Sequence, residues 1–143
     1  MILVTLRGGK AKVISIEIAK KLKDAGLEWE QHELDFYYWP YRDDLCQLMC
    51  FEIALFYCDE DEAYRTTKEH GIYMPRLDQL LIEIEGRERW EYALISHTMP
   101  NKTKRYECTV TKYADGFTVE FNSSYADSPD EAAAQALLWI IEQ

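Results

Sequence analysis

The sequence predicts an α+β fold, in which an antiparallel β-meander sheet is covered by helices as in an α/β/α-type sandwich. Between residues 90 and 121, apolar and polar side chains alternate with the period of two that is typical of half-buried strands. On either side of that region, at 77–84 and 133–141, apolar residues recur at helical spacing. Residues 75–143 are therefore expected to form an α-β-β-β-α unit.

Length and composition indicate one domain spanning residues 1–143. The chain is 48% hydrophobic and 29% charged, as in an ordinary globular protein, and no linker rich in Gly, Ser or Pro divides it. Its 16 basic and 26 acidic residues give a net charge of −10. This balance argues against a protein that neutralises the phosphates of double-stranded nucleic acid. The apolar runs are far shorter than the roughly 20 residues of a membrane-spanning helix.

The first 70 residues are expected to add a helix and two or three strands to the same core. Residues 1–12 are interpreted as an edge strand or a leader, but their basic residues follow the apolar stretch, the reverse of a secretory signal. Ser15 is a helix N-cap with Glu17 in the first turn, and Gly26 suits the C-terminal end. The aromatic run 36–39, closed by Pro40, favours a strand.

The following segment is ambiguous. The apolar residues of 45–58 fit neither period cleanly, although the alternation at 51–57 favours a strand. Residues 59–71 are strongly charged and predict a solvated loop or one exposed helical turn.

Helix and turn signals frame the meander. Pro75 is predicted as the first residue of a helix that ends at Gly86. Strands are predicted at 90–97 and 105–113, followed by a tight hairpin at 114–116. Phe117, Val119 and Phe121 continue the alternating pattern.

The closing helix has a clear start signal. Ser128 and Glu131 form a capping box, and Pro129 takes the first helical position. Its predicted apolar face comprises Ala133, Ala136, Leu137, Ile140 and Ile141.

Three segments, 15–30, 72–81 and 126–143, resemble small uncharacterised phage and prophage proteins of Gram-positive bacteria. Part of that group is known as the phage ABA-sandwich domain. Its members share the order of helix, aromatic strand, W-x-P-x-x-x-Q-L helix, meander and D-T-P-E-E-A helix. This chain has Tyr73-Met74-Pro75 in place of Trp-Leu-Pro, and 43–69 matches no segment of the group. The resemblance implies a phage origin and α/β/α layering, but no activity.

Two other families share the helix–meander–helix outline. Double-stranded-RNA-binding domains carry a basic cluster at the last helix, whereas residues 113–143 contain no Lys or Arg. That stretch instead holds six acidic residues: Asp115, Glu120, Asp127, Asp130, Glu131 and Glu142. Antitoxins of the HicB type also have a D-G-F-T-V-E-F strand before an Ala-rich helix, but their Pro-Gly-Cys turn is missing here.

No motif in the sequence indicates a catalytic site, a metal or a cofactor. The four cysteines, at 46, 50, 58 and 108, interrupt apolar stretches and are interpreted as buried thiols of a reducing cytoplasm. The histidines at 32, 70 and 97 lie beside no nucleophile motif, and we expect them to be solvated. The acidic run 59–62 lacks the spacing of an EF-hand.

Two segments are candidates for ligand binding. The first is aromatic and could stack a nucleotide base, and the second is the densest basic loop and could hold a phosphate or an acidic partner. The candidate residues are Tyr37, Trp39, Tyr41 and Arg42 in the first, and Asn101, Lys102, Lys104 and Arg105 in the second.

These observations predict a non-enzymatic binding protein of phage or prophage origin in the bacterial cytoplasm. It could act in counter-defence, by inhibiting a host factor or by sequestering a nucleotide signal. The expected partners are a host or phage protein or a small nucleotide, but neither a membrane nor double-stranded nucleic acid. The alternatives are a small hydrolase with an Asp/Glu/His site assembled by the fold, a HicB-like antitoxin and a structural role in a homo-oligomer.

Overall fold

The structure, a computed structural model, describes residues 14–30, 35–40, 46–50, 69 and 71–143. In chain order its elements are α1 (Ile16–Asp24), β1 (Phe36–Pro40), β2 (Cys46–Cys50), β3 (Ile72–Met74), α2 (Leu77–Glu85), β4 (Trp90–Thr98), β5 (Lys104–Ala114), β6 (Phe117–Ala126) and α3 (Pro129–Ile141). The predictions for residues 1–12, for the part of 45–58 beyond Cys50 and for nearly all of 59–71 lie outside the described residues.

The α+β fold class is confirmed. Strands β4, β5 and β6 form an antiparallel sheet in that order, and β2, β1 and β3 form a second antiparallel sheet. Helix α3 packs on β5 and β6, α2 packs between α3 and β4, and α1 packs against α3 and β3. We call the face of the meander that α2 and α3 cover its inner face. Within the described ranges, the opposite outer face carries no helix.

The core forms where the two predicted helical stripes meet the inner face. Leu80 and Ile84 of α2 are fully buried, as is Leu137 of α3. On β5, Cys108 and Val110 are buried beneath them. The run of buried alanines on α3 keeps this helix close to the sheet, because a methyl group needs little space. Burial of each large aliphatic side chain stabilises the fold by about 1.5–3 kcal/mol.

At two of the three helix N-termini, those of α1 and α3, the predicted serine is the N-cap. The Ser15 hydroxyl accepts a hydrogen bond from the Ile18 N–H at 3.3 Å. The Ser128 hydroxyl accepts one from the Glu131 N–H at 3.2 Å, and Pro129 begins α3. The reciprocal half of the predicted capping box is wrong, because the Glu131 carboxylate accepts from Ser15 instead. Gly26, after α1, has a φ of +91°, in the left-handed region that glycine tolerates.

The predicted start of α2 is wrong by two residues. Pro75 is not the first helical residue but a buried residue between β3 and the N-cap, Arg76. The cap falls there because the side chain of Gln79 accepts the Arg76 N–H at 2.9 Å. The three-residue strand β3 was not predicted, since so short a segment carries no measurable period.

A bulge in the hairpin between β5 and β6 decides which side chains of β6 face the helices. Asp115 and Gly116 have φ values of +52° and +81°, as a two-residue hairpin turn requires. Next to the turn, Tyr113 pairs with Thr118, but farther on Lys112 pairs with Glu120, so that Val119 is an extra residue. Because side chains alternate between faces, one extra residue reverses the orientation of everything that follows.

Beyond the bulge, β6 therefore turns its polar residues inward. Asn122 pairs with Val110 and Ser124 with Cys108, so they continue the inner rows of the sheet. Phe121 pairs with Thr111 on an outer row. A regular continuation from the turn would have paired Phe121 with Val110 in the core.

Candidate functional site on the outer face of the meander

The outer face consists of cross-strand rows that run from β4 through β5 to β6. One row holds Ile95, Glu107 and Tyr125. On one side of it lies the pair His97 and Arg105, next to the loop between β4 and β5. On the other side lies the row of Ala93, Thr109 and Ser123, followed by the row that contains Phe121. The fold thus brings together charged, hydroxyl-bearing and aromatic side chains from three strands.

A hydrogen-bonded group of five side chains occupies the centre of this face, and we call it the outer polar cluster: His97, Glu107, Thr109, Ser123 and Tyr125. The His97 Nε2 lies 2.7 Å from the Glu107 Oε2. The Tyr125 and Thr109 hydroxyls donate to the Glu107 Oε1 at 3.0 and 3.2 Å. The Thr109 Oγ1 also lies 2.8 Å from the Ser123 Oγ. Glu107 is thus the centre to which all three strands connect.

These contacts shift two pKa values in opposite directions. The pKa of Glu107 is lowered, chiefly by the hydrogen bond from His97, because a donor stabilises the ionised carboxylate. The pKa of Tyr125 is raised, chiefly because its hydroxyl donates to that carboxylate and would lose the bond on ionisation. The Arg105 guanidinium lies 5.4 Å from the centre of the Tyr125 ring and covers one of its faces.

The cluster contains a candidate general base but lacks an adjacent nucleophile. His97 was expected to be solvated, and its side chain is indeed exposed while bonded to Glu107. A histidine oriented by a carboxylate supplies two of the three members of a nucleophilic triad. In the part of the chain that the structure describes, however, no hydroxyl or thiol bonds to His97, because the Thr109 and Ser123 hydroxyls are bonded to each other and to Glu107.

Beside the cluster, β6 exposes three apolar side chains, which we call the hairpin patch: Phe117, Val119 and Phe121. They are 74%, 53% and 70% exposed, respectively. Phe121 lies on the outer face and Val119 is the extra residue of the bulge, whereas Phe117, opposite Ala114, precedes the bulge and continues an inner row of the sheet next to the turn. Tyr113 and Tyr125 are also partly exposed. Exposed apolar side chains of this size, close together along one strand, are typical of an interaction surface.

The predicted basic loop is exposed and partly structured by its own contacts. The Asn101 Oδ1 accepts from the Thr103 N–H and hydroxyl at 3.2 and 2.6 Å. The Lys104 ammonium donates to the Thr98 hydroxyl at 2.9 Å, and Lys102 adopts a φ of +66°. Only Arg105 of the four candidate residues contacts the outer polar cluster.

The predicted aromatic half of the ligand site does not belong to the same sheet. Tyr37 and Trp39 lie on β1, in the smaller sheet, where their backbones pair with Tyr73 and Gln47. Tyr41 and Arg42 lie outside the described residues. The two segments that the sequence predicts as ligand-binding are therefore on different sheets.

A second polar group, around Asp35, was not predicted at all. The Gln79 side-chain amide donates to the buried Asp35 carboxylate at 2.6 Å, and the Arg76 guanidinium lies 3.5 Å from it. Tyr73 stacks on Trp29 with ring centres 4.3 Å apart, and burial together with Asp35 raises its pKa. These contacts connect α2 to the smaller sheet, and no local sequence signal could show a pair separated by 44 residues.

The acidic surface of the C-terminal region is smaller than its sequence indicates. Asp130 is buried. Glu131 accepts the Ser15 N–H and hydroxyl at 2.9 and 2.8 Å, so its carboxylate connects the N-terminus of α1 to the first turn of α3. Of the six carboxylates, these two therefore serve the fold.

The buried thiol that the structure describes agrees with the prediction for cysteine. Cys108 is free and buried, and burial raises its pKa to about 11. The side chains at 46, 50 and 58 and the histidines at 32 and 70 lie outside what the structure describes. Among the described residues, no group of three or more His, Cys, Asp and Glu side chains could hold a metal ion. None of the described helices is long and apolar enough to cross a membrane.

Comparison of the chain with protein-family models, with curated proteins and with solved structures finds no match.

Proposed function

We propose that the protein is a non-enzymatic binding protein of phage or prophage origin that holds a partner protein through the hairpin patch. The observation that carries the proposal is the exposure of Phe117, Val119 and Phe121 on one strand. A two-residue hairpin without the bulge would bury Phe121, so its exposure reflects the register of the strand rather than a shortage of core. Burying such a patch in a complex provides a favourable free energy of association.

The resemblance of three segments to phage proteins supports the proposed origin and a place in the cytoplasm of the bacterial host. Counter-defence, by inhibition of a host factor, is the form of the function that we propose. A nucleotide is the less favoured ligand. Arg105 already covers one face of the Tyr125 ring, and the predicted aromatic candidates lie on a different sheet or outside the described residues.

The test compares partner capture by three proteins: the wild type, a Phe117→Ser/Phe121→Ser variant and an Ile82→Ser control. Ile82 is a matched control because it is 63% exposed but lies on α2, away from the patch. The wild type and the control should capture the same host or phage protein from lysate, and the double variant should not. Binding of that purified partner is then measured by calorimetry, where the double variant should lose at least tenfold in affinity. Equal affinity of all three proteins would refute the proposal.

A second candidate function, hydrolysis with His97 as general base, rests on its 2.7 Å contact with Glu107. His97 does not line the groove along β6 that is described below. Screening of generic ester and phosphodiester substrates with the wild type and a His97→Ala variant tests this candidate. A rate that depends on His97 would favour it over the binding protein.

A further inference from the structure

The inner side of β6 differs from the rest of the inner face, because it is polar. Along the same rows, Leu94 and Cys108 are followed by Ser124, and Tyr92 and Val110 are followed by Asn122. The Asn122 amide donates to the Ser124 hydroxyl at 3.3 Å. Asn122 is half-buried and Ser124 is buried, and polar residues at these positions are accounted for if a groove, rather than the apolar core, lies over this border of the sheet.

A groove does run along this border. It consists of two adjoining depressions of about 500 and 390 Å³, which share Ser15, Glu131 and Gln135. Helix α3 forms the floor, and α1 and β6 form the walls. Four carboxylates line the groove but only two basic side chains do: Glu17, Asp127, Glu131 and Glu142 against Lys21 and Arg105.

The edge of β6 next to this groove is open in the part of the chain that the structure describes. The order of the meander ends at β6, and no described strand pairs with its other side. Beyond the bulge, residues 120–126 form a regular stretch of seven residues, about 23 Å long at 3.3 Å per residue. An edge of this length offers unpaired N–H and C=O groups to an extended segment.

We infer that β6 receives an extended, basic segment of the partner protein as a fourth strand of the meander. This inference rests on the proposed function and names the chemistry of its partner. Successive side chains of the added strand point to opposite faces. One set, of Lys or Arg, enters the groove towards Glu17 and Glu142, and the other set, apolar, lies beside Phe121 on the outer face.

Charge decides between this occupant and a second copy of the chain. The groove carries more carboxylates than basic groups, and the whole chain has a net charge of −10. A second copy would bring another net charge of −10 to this border and be repelled, whereas a basic segment is attracted to it. Charge therefore favours a different chain, with alternating basic and apolar residues, over a second copy. The protection of the β6 amides in the free protein tests whether the chain's own predicted edge strand, within residues 1–12, takes this place instead.

The test uses the full chain and a probe of defined sequence, acetyl-Lys-Val-Lys-Val-Lys-Val-Lys-amide. A second peptide with Glu in place of every Lys controls for backbone pairing alone. In ¹⁵N-resolved NMR, the Lys peptide should shift the amide signals of residues 120–126 and slow their hydrogen exchange. The Glu peptide should bind at least tenfold more weakly, and added salt should weaken the Lys peptide.

A Glu17→Gln/Glu142→Gln variant should bind the Lys peptide about fivefold more weakly, since two partly screened ion pairs are lost. The matched control is Glu28→Gln/Glu88→Gln, which removes two exposed carboxylates that do not line the groove. Equal binding of both peptides, shifts confined to other strands, or β6 amides already protected in the free protein would overturn the inference. A dimer in light scattering that dissociates on addition of the Lys peptide would overturn it in favour of a second copy.

Failure of this inference and failure of the proposed function give different results. If the hairpin-patch variant loses its partner but the Lys peptide does not bind the wild type, only the inference is overturned. If no partner depends on the patch, the proposed function is overturned, whatever the peptide does.

Discussion

Strands β5 and β6 are neighbours with the same alternation of apolar and polar residues, but they orient it in opposite ways. In β5 the apolar row of Cys108 and Val110 is buried against the helices. In β6 the row that contains Phe121 faces outward, and Asn122 and Ser124 take the inner positions. The difference shows that period-two alternation establishes a strand but does not establish which of its faces is buried.

The cause is the single extra residue at Val119. Because each residue of a strand reverses the direction of the side chain, a one-residue bulge exchanges the two faces of all that follows. By leaving Phe121 exposed, the chain forgoes about 1.5–3 kcal/mol of burial. Such an arrangement is expected where the exposed row serves a partner.

The largest expected effect is the difference in stability between two substitutions that each shorten one apolar side chain, one on β5 and one on β6. Val110→Ala should lower the free energy of unfolding by about 2 kcal/mol, because it removes two buried methyl groups and leaves a cavity. Phe121→Ala should change it by no more than about 0.5 kcal/mol, since the ring is exposed. Urea unfolding followed by circular dichroism measures both. A larger loss for Phe121→Ala than for Val110→Ala would contradict the orientation of β6.

The hairpin turn that precedes the bulge should be the next most sensitive position. Gly116 has a φ of +81°, and a Cβ built there would meet no atom within 4 Å. Gly116→Ala should therefore cost about 1 kcal/mol, through backbone strain alone. The matched comparison is Gly86→Ala, at a glycine whose φ is −69°, although its Cβ would lie 3.3 Å from the Ile82 carbonyl oxygen. Thermal unfolding should show the larger shift for Gly116→Ala, and an unchanged midpoint would argue against the two-residue turn.

A substitution in the outer polar cluster should produce a smaller change in the free energy of unfolding. This change should depend on pH, unlike that of a substitution on the apolar inner face. The pKa of Glu107 is lowered in the folded protein by the hydrogen bond from His97. Its stabilising contribution is therefore present above the unfolded pKa, about 4.3, and is lost as pH falls through the folded value. The difference in unfolding free energy between the wild type and Glu107→Gln should shrink as pH falls below about 4.

An NMR titration of the Glu107 carboxyl carbon measures the shift directly. The wild type should titrate below the ordinary glutamate range, and His97→Ala should raise the midpoint towards it. Glu107→Gln should lower the pKa of Tyr125, because the hydroxyl then loses its acceptor carboxylate. Identical Glu107 midpoints in the wild type and His97→Ala would contradict the His97–Glu107 bond.

Local signals made much of the fold predictable. Ser15 and Ser128 cap their helices as their sequence context indicates, and β4 and β5 begin and end within one residue of the prediction. β6 begins as predicted but continues to Ala126, five residues beyond Phe121. The helical stripes are buried because spacing at 3.6 residues per turn places apolar side chains on one face. These features depend on neighbours in sequence, which is why the sequence alone reveals them.

The site was less predictable, because it depends on register and on distant contacts. The register of β6 follows from one bulge, and the alternating pattern fits both alternatives. The contact between His97 and Glu107 requires knowing which residues of β4 and β5 stand opposite each other. Arg105 is the one residue of the predicted basic loop that reaches the cluster, since it alone lies on an outer row beside Tyr125.

The central claim, that β6 turns its apolar row outward, is tested most directly by NMR of the assigned protein with a soluble gadolinium probe. Phe117 and Phe121 ring signals should broaden as strongly as those of the exposed Ile82 methyls, while Val110 and Leu137 methyls remain sharp. Sharp Phe121 signals together with strongly broadened signals from Ser124 would contradict the claim and indicate that β6 pairs in the register without a bulge.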